Sequence, residues 1–321
     1  MSAPALRWTG SLAALDPADL TALLDRSTSS DPEVRATVAA VIADVRARGD
    51  VALRELALRW DRVALEHLEV PRSARERALA ATPAALRETL ERAAANLRAV
   101  HTAARPTASR VEVEPGLVVG RRPDPLGRVG LYAPGGRAAY PSSVLMGAVP
   151  ARVAGVGEIV LCSPPGPDGI PPQAVLAAAA LAGVDRVFAI GGAGAIAALA
   201  WGTASVPRVD RIVGPGNAWV AEAKLQVAGA VGIDAPAGPS EILVLAGPGT
   251  DPAFVAREMI AQAEHDPRAC AVALAFGAGA ASLTARIVAT LTTAGAGAPR
   301  RDVIAAALAA RGAVLTASDA D

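Results

Sequence analysis

The feature that most restricts the fold of this chain is a rhythm of short apolar runs between residues 128 and 276. They read RVGLYAP (128–134), EIVLCSP (158–164), DRVFAIGG (185–192), VDRIVGPG (209–216), EILVLAG (241–247) and CAVALAF (270–276). Each run is continuous rather than alternating, the pattern of a strand covered on both faces. Alanine-rich segments of helical length fill most of the gaps. Strand and helix alternating at this spacing predict βαβ units and parallel sheet. No repeat of a solenoid kind accompanies the rhythm. Hydrophobic residues make up 52% of the chain and aromatics only 3%. Alanine and valine therefore fill the core, which suits tightly packed helix–sheet layers. Past Ala278, RRDVIAAALAARGAVLTASDAD predicts one more helix and one more strand.

The first hundred residues read as helices. DPEVRATVAAVIADVRARGD opens with Asp31 as a cap and Pro32 in the first turn, and stops at Gly49. Val34, Val38, Val41 and Val45 make one apolar stripe along it. VALRELALRWD continues after the break, and PAALRETLERAAANLRAVHTAA is a second long helix. RVEVEPGLVVGRRPDPLGRVGLYAP then turns to extended chain, punctuated at Pro115-Gly116 and from Pro123 to Gly127.

A length of 321 residues leaves room for two domains. Lys+Arg and Asp+Glu both number 31, so bulk charge gives no reason to expect nucleic acid or an anionic membrane as partner. Cys162 and Cys270 cannot build a disulfide framework and suit a reducing cytoplasm. The N-terminal stretch has no basic region followed by an apolar one, so no signal peptide is read. The run AVLAAAALAGV is too short to span a bilayer. A soluble, cytoplasmic protein is expected.

Ligands of open parallel sheets bind beyond the carboxyl ends of the strands. Three glycine-rich loops follow strands here: APGG (133–136), GGAGA (191–195) and GPGN (214–217). Glycine lets backbone N–H groups approach a phosphate, and the next helix N-terminus favours negative charge. Each loop alone is equally an ordinary tight turn; three on one sheet edge point to a nucleotide-type ligand. In DAPAGPSE (234–241), Ser240 precedes a strand and lacks the flanking glycines of a nucleophile elbow. That disfavours a serine hydrolase and leaves Ser240 as a ligand contact or a turn cap.

Asp251-Pro252 starts a helix that ends in AQAEHDP. Gln262 and His265, three apart, project from one face. They offer an amide oxygen and an imidazole nitrogen to one metal, or His265 simply caps the helix end, where the dipole favours it. His101, at a polar helix end, and Glu66-His67, in a connection between helices, are poorer candidates.

Together, GRVGLYAPGG, PSSVLMGAVPARVAGV, IVLCSPP, GGAGAIAALAWGTASVPRVDRIVGPGNAWVAEAKLQV, IDAPAGPSEILVLA and AQAEH resemble the histidinol dehydrogenase family in order and spacing. The resemblance covers nearly the whole chain. It implies an α/β fold of two incomplete Rossmann-like domains with parallel sheets and a helical N-terminal extension. The implied divisions are a helical arm at 1–26, a discontinuous first domain at 27–128 and 237–321, and an NAD-binding domain at 129–236. It also implies a homodimeric, zinc-dependent enzyme that oxidises L-histidinol through the aldehyde to L-histidine with NAD, in two hydride transfers, as the last step of histidine biosynthesis. Carried over by position, Tyr132 and Asn217 contact NAD, Ser240 contacts histidinol, and Gln262 and His265 bind both zinc and substrate.

Two departures accompany the resemblance. The family's GGAQA loop uses its glutamine on NAD, and here that cofactor-binding position is Gly194. The family pattern also continues beyond Asp321 with a Glu-His pair for proton transfer and further zinc and substrate residues. No catalytic acid or base is therefore assigned within this chain, and a truncated or low-activity form is expected. The alternatives are a non-catalytic nucleotide-binding paralogue, or a dehydrogenase of another amino or hydroxy alcohol on the same scaffold.

Overall fold

The computed structural model describes residues 5–24, 32–135, 139–236 and 240–318. The chain opens with β1 (Trp8–Ser11) and α1 (Pro17–Leu24). Then come α2 (Pro32–Arg48), α3 (Asp50–Leu56) running into a π-turn (Ala57–Asp61), α4 (Arg72–Ala80) and α5 (Ala84–Ala103). A hairpin of β2 (Ser109–Glu114) and β3 (Leu117–Arg121) follows. The alternating part runs β4 (Arg128–Tyr132), α6 (Pro141–Ala154), β5 (Glu158–Ser163), α7 (Gln173–Leu181), β6 (Arg186–Ala189), α8 (Gly192–Trp201), β7 (Arg211–Val213), α9 (Ala218–Val227) and β8 (Gly232–Ile233). Last come β9 (Glu241–Ala246), α10 (Pro252–Ala263), β10 (Cys270–Phe276), α11 (Ala280–Ala296), α12 (Arg301–Arg311) and β11 (Gly312–Ala317). All six apolar runs are strands, and Asp31, the expected cap of α2, lies outside the described residues.

The chain divides into two compact units, residues 28–237 and residues 1–27 with 238–321. In the first, five parallel strands lie in the order β6-β5-β4-β7-β8. The chain starts in β4, steps outward to β5 and β6, then returns to the other side for β7 and β8. The order therefore reverses between β4 and β7, which makes their carboxyl ends the topological switch point. Leu131 faces Gly147 of α6, whereas its neighbour Gly130 faces Leu199 of α8. Successive strand residues point to opposite faces, so α6 and α7 cover one face and α8 and α9 the other.

Outer helices complete this unit. α4 and α5 pack on α7 and α6, and α2 packs on α8 and α9. The stripe on α2 is buried at Val38, Val41, Ile42 and Val45, each burial contributing about 1.5–3 kcal/mol. This departs from the expected division, which joined 27–128 to 237–321. The periodicity marks which side of α2 is buried; it carries no information about which sheet supplies the cover. The β2–β3 hairpin is exposed along both strands.

In the second unit, four parallel strands lie in the order β1-β11-β10-β9. Ala271, Ala273 and Ala275 of β10 join a core with α10, α11 and α12. Cys270 and Val272 face the opposite side, with Trp8 and Leu23. The expected helical arm at 1–26 is thus corrected: Trp8–Ser11 is a strand, paired from Trp8↔Ala313 to Ser11↔Thr316. Four residues are too few to show a strand period, and the pairing partner lies some 300 residues away in sequence. Among the described residues, no helix is long and apolar enough to cross a membrane.

Candidate functional site

The carboxyl edge of the five-stranded sheet gathers the positions expected to meet a nucleotide. Tyr132 ends β4 on the face covered by α8. Its ring is buried, and its hydroxyl accepts the N–H of Gly192, the first residue of α8, at 3.1 Å. Burial pushes the phenol up to about 12, so it stays neutral and keeps its own O–H to donate. Gly214 follows β7 directly beside Tyr132. Asn217 caps α9: its Oδ1 accepts the Val220 N–H at 3.1 Å. That use of the oxygen leaves the side-chain NH₂ of an exposed residue as a spare donor at a positive helix end. Gly136 of the APGG loop lies outside the described residues.

Gly194 is buried, and the space beside it is already filled. A Cβ there comes within 2.9 Å of Leu56 Cδ1 and 3.4 Å of Leu53 Cδ2. Helix α3 packs directly over this position. Gly194→Gln must displace the flexible end of Leu56, so a loss of about 1–2 kcal/mol is expected in urea unfolding. A gain in stability would contradict the packing.

Asp61, at the end of the π-turn, acts electrostatically on the Tyr132 phenol. Its carboxyl is part-buried, and burial alone pushes it up to about 6. Below about pH 4 the acid is protonated folded and unfolded alike, so its burial carries no charge penalty. Between about pH 4 and 6 the unfolded chain ionises while the folded chain stays protonated, and stability falls as pH rises. Above that range the penalty is full. Asp61→Asn is therefore expected to stabilise by about 1–2 kcal/mol at pH 8 and to change little at pH 4, read from urea midpoints at the two pH values.

The second group of positions belongs to the other unit. Asp251 caps α10 by accepting the Ala253 N–H at 2.9 Å, with Pro252 in the first turn. Val255, Ala256 and Met259 bury one side of the helix. Helix α10 returns from the carboxyl end of β9 to the amino end of β10. Gln262 and His265 therefore sit at the amino edge of this sheet, and Ser240, just before β9, sits there too. The Cys270 N–H donates to the Ser240 carbonyl at 3.2 Å and ties the two strand starts together. His265 donates its N–H to the Gln262 carbonyl at 3.3 Å. The negative end of the helix dipole points at this edge and favours a cation.

His265 and Ser240 are exposed, while Gln262 Nε2 is buried and has no hydrogen-bond partner. An amide oxygen and an imidazole are donors zinc accepts, but zinc takes four, or three with a water or substrate. Among the described residues no three His, Cys, Asp or Glu come together. Gln262 and His265 thus have the right chemistry and do not complete a shell. Glu66 and His67 lie 4.0 Å apart with both side chains more than four-fifths exposed, a solvated pair. His101 lies in the last turn of α5. Sequence reasoning passed over Lys224 and Asp234; the signal was a lysine inside the otherwise apolar face of α9.

The fold is that of a two-unit α/β protein whose larger unit has the strand order of a Rossmann-like nucleotide-binding half. A family model described as histidinol dehydrogenase matches residues 24–321. A histidinol dehydrogenase of Burkholderia lata is 48% identical over 309 residues, covering 94% of this chain and 70% of its own. That of Bordetella parapertussis is 48% identical over 303 residues, covering 94% and 68%. A crystal structure of histidinol dehydrogenase from Elizabethkingia anophelis shares 29% identity with a TM-score of 0.87, covering 96% of this chain and 70% of that one. The chain belongs to the histidinol dehydrogenase family.

Proposed function

We propose that this protein oxidises L-histidinol to L-histidine with NAD, in the cytoplasm and as a homodimer. The observation that carries the reading is the match of family sequence to site chemistry. Donor groups of Tyr132 and Asn217 stand at the switch point of a nucleotide-type sheet, and Ser240, Gln262 and His265 share one edge of the other.

In this reading NAD would supply the hydride acceptor, one cofactor molecule for each of the two oxidations, with water supplying the second oxygen at the aldehyde stage. The Tyr132 O–H and the Asn217 NH₂ donate to the dinucleotide, and the N-terminus of α9 favours its phosphate charge. Ser240 orients the amino alcohol, and Gln262 and His265 offer two donors to zinc and contact the substrate. What these residues contribute is position: holding reacting atoms in place is worth about 7–11 kcal/mol at its best.

The test is to incubate purified protein with L-histidinol, NAD and zinc. Two NADH formed for each histidine support the reading. Equal rates with amino alcohols that lack an imidazole would assign a different substrate. No saturable NAD binding in calorimetry would overturn the dehydrogenase reading itself.

A further inference from the structure

Lys224 is a charge where the fold has no evident use for one. It lies in α9, whose other buried residues are Val220, Ala221, Glu222, Ala223 and Val227, and its side chain is only 1% exposed. Burying an ammonium is costly unless it is paired and hydrogen-bonded. Here it has two partners. Its Nζ lies 2.6 Å from Asp234 Oδ1, and it donates to the Gly214 carbonyl. Asp234 in turn accepts the Gly214 N–H on Oδ2 at 2.8 Å and the Ala235 N–H on Oδ1 at 2.7 Å. Both polar groups of Gly214 are thus held by one ion pair, the N–H by the acid and the carbonyl by the lysine.

We propose that Lys224 and Asp234 are the positioning residues of the GPGN loop: they clamp Gly214 against the end of β4 and so set where Asn217 meets the dinucleotide. The inference rests on reading this edge as the NAD site. Gly214 is the residue that most needs holding, since it sits at φ 123 and lies so close to the Tyr132 backbone that no side chain fits there. Three residues on, Asn217 begins α9, and Lys224 hangs from two turns further along that same helix. The pair therefore closes a ring: loop, helix, lysine, acid and back to the loop. An apolar pair could fill the volume but could not fix both polar groups of Gly214. That explains why a buried lysine paired with a half-buried aspartate stands here.

The test uses Lys224→Met, Asp234→Asn and Lys224→Arg, with two readouts. Amide exchange by mass spectrometry follows the loop peptide around 211–217 and, as control, β5 at 158–163. Calorimetry follows NAD. The clamp predicts loop exchange faster by about tenfold or more in Lys224→Met with β5 unchanged, and NAD affinity weaker by about tenfold or more. Lys224→Arg recovers part of both. Loop and control peptides accelerating together would mean a general structural role, and would overturn the proposal. So would Lys224→Met and Asp234→Asn both binding NAD like the parent. If Lys224→Met does not fold, Asp234→Asn and Lys224→Arg carry the same comparison. If the parent itself does not bind NAD, the cofactor reading fails, while the exchange data still decide whether the pair clamps the loop.

Discussion

Alanine at position 214 is expected to destabilise the protein by about 3–5 kcal/mol and to remove NAD binding. An ideal Cβ on Gly214 lies 2.1 Å from the Tyr132 carbonyl oxygen and about 3 Å from the Tyr132 carbonyl carbon and nitrogen. These are backbone atoms of the central strand, so no side-chain rotation relieves the clash. The φ of 123 is also closed to L-residues with a side chain. The strand, the loop or both must move, and Asn217 moves with them. Gly229→Ala is the matched control. A Cβ there meets nothing within 4 Å, so the same substitution should be neutral or gain about 0.4–1 kcal/mol through the unfolded chain. Urea unfolding of both variants decides the matter. A Gly214→Ala protein within 1 kcal/mol of the parent would mean that the loop is not packed against β4 as described.

Loss of His265 is expected to weaken zinc binding by at least about 100-fold, since even residues that merely support a ligand are worth 10- to 100-fold. Gln262→Ala should act in the same direction. The reasoning is local to one end of α10. A cation at that edge meets the negative end of the helix dipole, an exposed imidazole, and a glutamine that can offer its amide oxygen. With two donors on this unit, removing one leaves a single contact. Competition against a chromophoric chelator measures the loss. His67→Ala serves as the control, because the Glu66–His67 pair is solvent-exposed on both side chains. Equal zinc affinity in the His265→Ala protein would remove this residue from the ligand set.

How much of this was legible in the sequence follows from the range of each interaction. The six apolar runs became strands because a strand covered on both faces needs apolar residues at consecutive positions, a requirement met within six or seven residues. The start of α10 was legible for the same reason, since Asp251 and Pro252 act within one turn. Strand β1 was not, because its four residues are held by β11 and carry no period of their own. The stripe on α2 announced a buried face without naming its cover, so the helices before residue 104 were expected in one unit and pack in the other. The glycine-for-glutamine exchange at 194 read as a lost polar contact. The packing adds a close approach of Leu56 to Gly194 that no local pattern encodes.

The sequence by itself determined the α/β class, the family, and the identities of the five positions for which ligand contacts are proposed. These depend on residue type and order along the chain. Only the tertiary structure decided that Ser240 joins Gln262 and His265 at the amino edge of one sheet, while Tyr132 and Asn217 stand at the carboxyl edge of another. It alone paired Lys224 with Asp234 across Gly214. The physical reason is that a strand's edge and a buried charge's partner are set by the register and crossovers of segments far apart in sequence. No periodicity of neighbouring residues records either one.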